Sequence, residues 1–349
     1  MNDERKTDGN GSQTPSSSQA GGRQRLKVGK GEEGSGGKMR LRPVSLSNVP
    51  WGSSTPVDLY LHLGKELSLL FRKGQTLSPE AYAEVVDNTQ KLYYDRDSRV
   101  NWQSLVDDNL SNILKTPLTT EAKAAVAYGS AARTTQKLLA DFNEEGYETA
   151  QVTVDALNTL MKEPEALDSF FQLTIHDYYT YTHSVHVYIY ASMLTRAVIG
   201  DENAPFLKEL GVGFLLHDVG KKDIPPEVLN KKGKLDDKEW KLMKAHPAIG
   251  HDLLTKVSGG LSEEVSDIIL QHHEKIDGSG YPKGLTNAMI GRFGKICAVA
   301  DVYDALTTRR SYKEALSKMT AFTIMRDVKG HLDEKVLERF IRLAVAHLD

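Results

Sequence analysis

The spacing of apolar and polar positions divides this chain of 349 residues into three stretches. Residues 1 to about 42 carry almost no apolar side chains and are rich in Gly, Ser, Gln, Lys and Arg. Such a stretch cannot bury enough surface to offset its ordering entropy, so a disordered tail is expected over residues 1–43. From Val44 the pattern changes. Val57-Asp-Leu-Tyr-Leu-His-Leu63 alternates apolar and polar residues, as a half-buried strand does. Glu66–Phe71 reads as a second strand, Lys73-Gly74-Gln75 as a turn and Lys91–Tyr94 as a short strand. Between them Ser78-Pro79-Glu80 opens a helix, with Ser78 as N-cap and Pro79 at the first helical position. These elements predict a small α+β module over residues 44–100.

Beyond Trp102 the period becomes helical. Apolar residues recur every three to four positions through Trp102–Leu114, Ala122–Phe142 and Val152–Met161, and the pattern persists to the end. Loops fall at Lys231-Lys-Gly-Lys234, Asp277–Gly284 and Arg309–Tyr312, and no internal repeat is visible. The expected fold class is therefore mainly α: connecting helices over 101–160 and an all-helical domain over 161–349, preceded by the α+β module and the tail. Composition narrows the function. The 44 basic and 47 acidic residues leave a net charge of −3, which argues against a chain that coats a nucleic acid polymer. A single cysteine, Cys297, excludes a disulfide framework and a thiolate zinc site. Between Ile296 and Ala298 it reads as core. The opening MNDERKTDGNGSQ has no apolar stretch, and the run Val185–Gly200 is broken by Thr195 and Arg196, short of the ~20 residues of a membrane span. A cytoplasmic protein without membrane contact is expected.

The histidines carry the chemistry. Five clusters stand out: His183-Ser184, His217-Asp218-Val-Gly-Lys221, His246-Pro247, His272-His273-Glu274 and Asp301-Val-Tyr-Asp304. Imidazole and carboxylate together suit Fe, Mn or Zn. A single His-Asp pair means little, since His176-Asp177 and His251-Asp252 are others in the same chain. The ordered set of five carries the argument.

Those clusters lie within longer matches: Tyr181-Thr-His-Ser184, Leu215-Leu-His-Asp-Val-Gly-Lys221, Ile224-Pro-Pro-Glu-Val-Leu229, Gly233-Lys-Leu235, Glu239-Trp240 and Met243-Lys-Ala-His-Pro247 with Gly250. They continue through His272-His-Glu-Lys-Ile-Asp-Gly-Ser-Gly-Tyr-Pro282, Ala300-Asp-Val-Tyr-Asp-Ala-Leu-Thr307 and Arg310-Ser-Tyr-Lys313. In these residues, over about half its length, the chain resembles the HD-GYP family of bacterial cyclic-di-GMP phosphodiesterases, a branch of the HD metal-dependent phosphohydrolases. The resemblance implies an HD-type all-helical domain and a two-metal site. His183, His217 and Asp301 would form one half and His246, His272 and His273 the other, with Asp218 bridging them and serving in catalysis. Glu274 and Asp304 are candidate acceptors behind the histidines, and Asp304, one turn from Asp301, is expected to steady it. His217 and Asp218 are expected on one helix, with Lys221 a turn further on and pointing to the metals, there to hold phosphate or protonate the leaving oxygen. Arg310 and Lys313 resemble the family's phosphate-binding pair, although Ser311 stands where the family usually has proline. Gly280, Tyr281 and Pro282 belong to the loop that names the family and are expected to line the substrate site. Tyr179 stands where three-metal members carry glutamate, so two metals are expected, with Asp177 a nearby carboxylate. His186, His251, His331 and the cluster Tyr178, Tyr179, Tyr181 read as structural.

The resulting expectation is hydrolysis of cyclic di-GMP to pGpG, with a further step to GMP left open, and two divalent ions, Fe first, Mn next and Zn last. The alternatives are a slow cyclic-dinucleotide receptor and a hydrolase of another cyclic dinucleotide such as 3′,3′-cGAMP. Signalling partner proteins and a homodimer are left open.

Overall fold

The computed structural model describes residues 40–347, apart from 47–48, 64–65, 79–80, 82–84, 86–90, 99, 175–179, 201–203 and 309–314. Four strands open it: β1 (Leu41–Ser45), β2 (Leu59–Leu63), β3 (Glu66–Phe71) and β4 (Lys91–Asp95). They form one antiparallel sheet in the order β1-β4-β2-β3. The alternation expected around residue 60 is what the sheet uses. Leu59, Leu61, Leu92 and Tyr94 are buried on one face, against Trp51 and Phe71. β1 takes up Leu41, Arg42 and Pro43, so regular structure begins inside the stretch expected to be tail. Pairing supplies what the sequence there lacks, because Pro43, with no amide hydrogen, sits on the outermost strand. Ser78 accepts the amide of Ala81 as an N-cap does, while most of the helix expected after it lies outside the described residues.

The helices follow. α1 (Trp102–Asp108) and α2 (Leu110–Ile113) leave the sheet, with Trp102 set edge-on to Tyr94 at 5.4 Å. α3 (Thr120–Ala140) and α4 (Glu144–Leu160) form an antiparallel pair, each opened by a side-chain cap, Thr119 and Asn143. α5 (Pro164–Leu173) packs on α3, then α6 (Thr180–Ile199) and α7 (Ala204–Leu215) return through the core. A 3₁₀ turn (Val219–Asp223) and the short α8 (Pro226–Leu229) and α9 (Asp237–Met243) lead to α10 (His246–Ser258) and α11 (Glu263–Gln271). α12 (Arg292–Thr307), α13 (Lys318–Asp327) and α14 (Glu334–Ala346) complete the described chain.

α6 and α12 pack on each other at the centre, with α7 and α11 flanking them and α3 outside α6. The apolar run at 185–194 is thus a core helix, buried on nearly every side. Among the described residues no helix is long and apolar enough to cross a membrane. Cys297 is fully buried in α12, and burial pushes its thiol well above the usual range, so it is core.

Candidate metal centre

Seven of the residues singled out in the sequence converge in two groups within the helical core. One holds His183, His217 and Asp301; the other holds Asp218, His246, His272 and His273. Six of the seven are buried, and His273 is half-buried. α6 contributes His183, α12 contributes Asp301, and His246 is the first residue of α10. His272 and His273 follow the last turn of α11.

His217 and Asp218 do not lie on an α-helix as expected. α7 ends at Leu215, and Asp218, with φ −100° and ψ 6°, opens the 3₁₀ turn that also carries Lys221. Leaving the helix lets adjacent side chains enter the same cavity, which neighbours 100° apart on a helix would not do as directly. Gly220 completes this arrangement. A Cβ there would stand 2.0 Å from the carbonyl oxygen of His246 and 2.5 Å from the amide nitrogen of Gly250. Only glycine lets the turn lie against α10 and brings His246 beside Asp218.

The carboxylate of Asp218 divides its two oxygens between the groups. Oδ2 faces His183 Nε2 and His217 Nε2, both at 3.6 Å; Oδ1 faces His246 Nε2 at 3.2 Å and His272 Nε2 at 3.6 Å. Asp301 Oδ1 lies 3.2 Å from His183 Nε2, and its Oδ2 lies 3.6 Å from His273 Nδ1. Lys221 reaches Asp218 Oδ2, not Asp223 or Glu227, so its ammonium lies at the carboxylate that joins the groups.

The imidazole tautomers follow from what stands behind each ring. His217 Nδ1 meets the Phe214 carbonyl at 2.9 Å, His246 Nδ1 meets that of Met243 at 2.7 Å, and His272 Nδ1 meets that of Ile269 at 2.9 Å. A carbonyl only accepts, so each Nδ1 carries the proton, and a ring in its neutral form turns an Nε2 lone pair inward. Burial favours the neutral form, pushing His217 down to about 3 and lowering His246 and His273 as well. The lone pairs of His246 and His272 then face each other at 3.2 Å beside Asp218 Oδ1. Electron-rich atoms at that separation repel unless a cation lies among them. His217 Nε2 and Asp218 Oδ1 are also buried without a hydrogen-bond partner. The donor set, imidazole and carboxylate without thiolate, therefore fits divalent cations.

His183 is backed differently. Its Nδ1 donates to Asp304 Oδ2 at 2.6 Å. Burial alone would lower its pKa, but hydrogen bonds and charge from Asp301 and Asp304 outweigh that and raise it to about 9. Asp218, Asp301 and Asp304 are all held well below the usual carboxylate range despite burial, Asp218 chiefly by Lys221, Asp301 by His183 and Asp304 by His186. Asp304 was expected to steady Asp301. Its oxygens instead take His183, His186 and the Thr308 hydroxyl. His186 Nε2 accepts the Tyr128 hydroxyl at 2.6 Å. A buried line thus runs Tyr128–His186–Asp304–His183, from α3 to the metal centre. The spacing His183-x-x-His186 hinted at His186, while nothing local marked Tyr128.

Glu274, expected behind a histidine, supports the Gly280–Tyr281–Pro282 loop. Its carboxylate accepts the amides of Lys283 at 2.7 Å and Leu285 at 2.9 Å. At Gly280 a Cβ would lie 2.3 Å from the Lys275 amide nitrogen, so the loop closes over this backbone only with glycine there. Tyr281 stacks on His273, ring centroids 4.7 Å apart, and so covers one side of the second group. His251 meets Ser266 and His331 meets Lys275, away from the centre, as expected of structural residues. Arg310, Ser311, Lys313, Asp177, Tyr178 and Tyr179 lie outside the described residues, as does the side chain of Tyr181.

Comparison with known proteins agrees with this architecture. Residues 173–336 match the HD domain family. The chain is 39% identical over 184 residues to the cyclic di-GMP phosphodiesterase PA4108 of Pseudomonas aeruginosa, covering 53% of this chain and 44% of that one. It is 42% identical over 124 residues to a 3′3′-cGAMP-specific phosphodiesterase 2 of Vibrio cholerae, 35% of this chain and 24% of that one. A solved structure, Bd1817, a HDGYP-type protein from Bdellovibrio bacteriovorus, shares the fold with a TM-score of 0.60 at 20% identity, over 88% of this chain and all of that one. The chain spans less than half the length of these curated relatives.

Proposed function

We propose that the chain is a metal-dependent phosphodiesterase that hydrolyses cyclic di-GMP to pGpG, the step on to GMP being left open. The observation that carries the reading is Asp218, whose two oxygens address two separate sets of nitrogen and oxygen donors. His183, His217 and Asp301 would hold one divalent cation and His246, His272 and His273 the other, shared through Asp218. Fe is the first candidate, then Mn, with Zn last. When bound, such a pair supplies neutralisation of the phosphodiester charge and an activated water.

The chain's own residues do the rest. Asp301 and Asp218 keep the donor set anionic, and the carbonyls behind His217, His246 and His272 hold their lone pairs inward. Lys221, a donor at the rim of the centre, is placed to hold a phosphate oxygen or to give a proton to the leaving 3′-oxygen. Arg310 and Lys313 would add a second phosphate grip, and the Gly280–Tyr281–Pro282 loop would wall the substrate. In this assignment residues 161–349 are the catalytic domain, 101–160 connect it to the 44–100 module, and that module and the 1–43 tail carry regulation through partner proteins in the cytoplasm. Relatives of both substrate classes are similar to this chain, so 3′3′-cGAMP is the second reading.

The test is a single-turnover assay of protein loaded anaerobically with Fe(II) or Mn(II), given cyclic di-GMP or 3′3′-cGAMP, with products separated by chromatography. Appearance of linear pGpG is expected. Tight binding with no cleavage over hours would make the chain a receptor, and cleavage of 3′3′-cGAMP alone would reassign the substrate.

A further inference from the structure

Three tryptophans are present, and they are placed very differently. Trp51 and Trp102 are buried against the sheet, whereas Trp240 on α9 is 43% exposed. α9 is fixed at its start by a capping box, in which Asp236 and Glu239 satisfy each other's backbone amides. Trp240 is therefore held in place while its ring remains open to solvent. It stands edge-on to Tyr281 with centroids 5.9 Å apart, and Tyr281 in turn stacks on His273 at 4.7 Å. The open indole is thus one aromatic ring removed from the metal centre. The Lys244 ammonium lies 5.5 Å from the Trp240 ring centre and 5.8 Å from that of Tyr281.

Resting on the phosphodiesterase reading, we propose that Trp240 and Lys244 form a base subsite for the cyclic dinucleotide, with Trp240 stacking a purine and Lys244 selecting guanine. Exposed aromatic faces beside a phosphate site bind nucleobases by stacking. Stacking tolerates every base, so selection needs a polar group at the base edge. Lysine only donates. The outer edge of guanine offers two acceptors, O6 and N7, where adenine offers N7 beside an amino donor. A lysine at the platform, its ammonium over one face of the Trp240 ring, therefore favours guanine. A ribose between phosphate and base accounts for a subsite set back from the metals.

The experiment uses the full-length, metal-loaded protein, with metal content and melting temperature checked in each variant. Trp240→Ala should raise KM for cyclic di-GMP about tenfold, the scale of one lost base–aromatic stack, with the effect mainly on KM. Trp240→Phe should recover most of it. Cyclic di-GMP should quench tryptophan fluorescence in the native protein and not in Trp240→Phe, because Trp51 and Trp102 are buried against the sheet. Lys244→Met should weaken cyclic di-GMP severalfold by the same titration and leave cyclic di-AMP unchanged. An unaltered KM in Trp240→Ala, or equal losses for both nucleotides in Lys244→Met, would overturn the subsite while the phosphodiesterase stands. A native protein that neither binds nor cleaves a cyclic dinucleotide would remove the underlying reading and the subsite with it.

Discussion

The two halves of the metal centre share carbonyl-backed histidines, and only the half that holds His183 adds a carboxylate behind a ring. His217, His246 and His272 rest on backbone carbonyls at helix ends. His183 rests on the carboxylate of Asp304, itself shared with His186 and, beyond it, Tyr128. A carbonyl fixes a tautomer; a carboxylate also raises the basicity of the imidazole it holds. The His183 half has a carboxylate of its own in Asp301, whereas the other half has three imidazoles and only the shared Asp218. The first position should therefore bind a cation more tightly, and the second should be the first to empty. The supporting line also ends on α3, outside the segment that matches the HD domain, so the connecting helices help to hold the site.

The largest effect that would break this asymmetry is expected from Asp304→Asn. Removing the charge behind a ligand typically lowers metal affinity by ~10–100-fold, and here the loss should fall on one of two ions. Competition with a chelator measures it. The same variant tests the pH dependence. In metal-free protein His183 is raised to about 9 by Asp301 and Asp304, above the ~6.5 of an unfolded chain. Its stabilising contribution is complete below pH ~6.5 and is lost as pH climbs through 9. A metal must displace that proton, so affinity should rise over the same interval. Asp304→Asn should move both trends to lower pH. Identical pH curves for the variant and the native protein would show that Asp304 does not set His183.

A smaller effect is expected from Tyr128→Phe. It deletes one buried hydroxyl and leaves His186 Nε2 without its donor, which should cost about 1–3 kcal/mol of folding stability. Metal affinity should fall less than in Asp304→Asn, because the change lies two hydrogen bonds further from the ligand. Thermal unfolding and the same chelator titration measure the two effects. A loss of affinity as large as that of Asp304→Asn would mean that the line acts as one unit and not by attenuation.

Much of this was legible in the sequence because it is local. The alternation around residue 60 marked a strand, and the mainly α character followed from the period after Trp102. The seven candidate ligands lay in five short clusters, each holding a His or an Asp, and the structure brings all seven together. What the sequence concealed depends on contacts between distant segments. Tyr128 and His186 are 58 positions apart, and no periodicity links them. Gly220 reads as an ordinary turn residue until α10 is placed on it. Asp304 looked like a neighbour of Asp301 along α12, but side chains three apart share a helix face without having to bond, and the stronger partners came from α6. The expected end of the tail differs from the structure for a similar reason: β1 is specified by its pairing with β4, a distant segment in register Leu41↔Asp95 and Ser45↔Lys91.

The central claim is that Asp218 joins the two groups into one two-metal centre. Elemental analysis of anaerobically loaded native protein beside Asp218→Ala tests it most directly. Two divalent ions per native chain are predicted, with both lost or a single weakly held ion left in the variant. One tightly bound ion per chain, unchanged by Asp218→Ala, would contradict it.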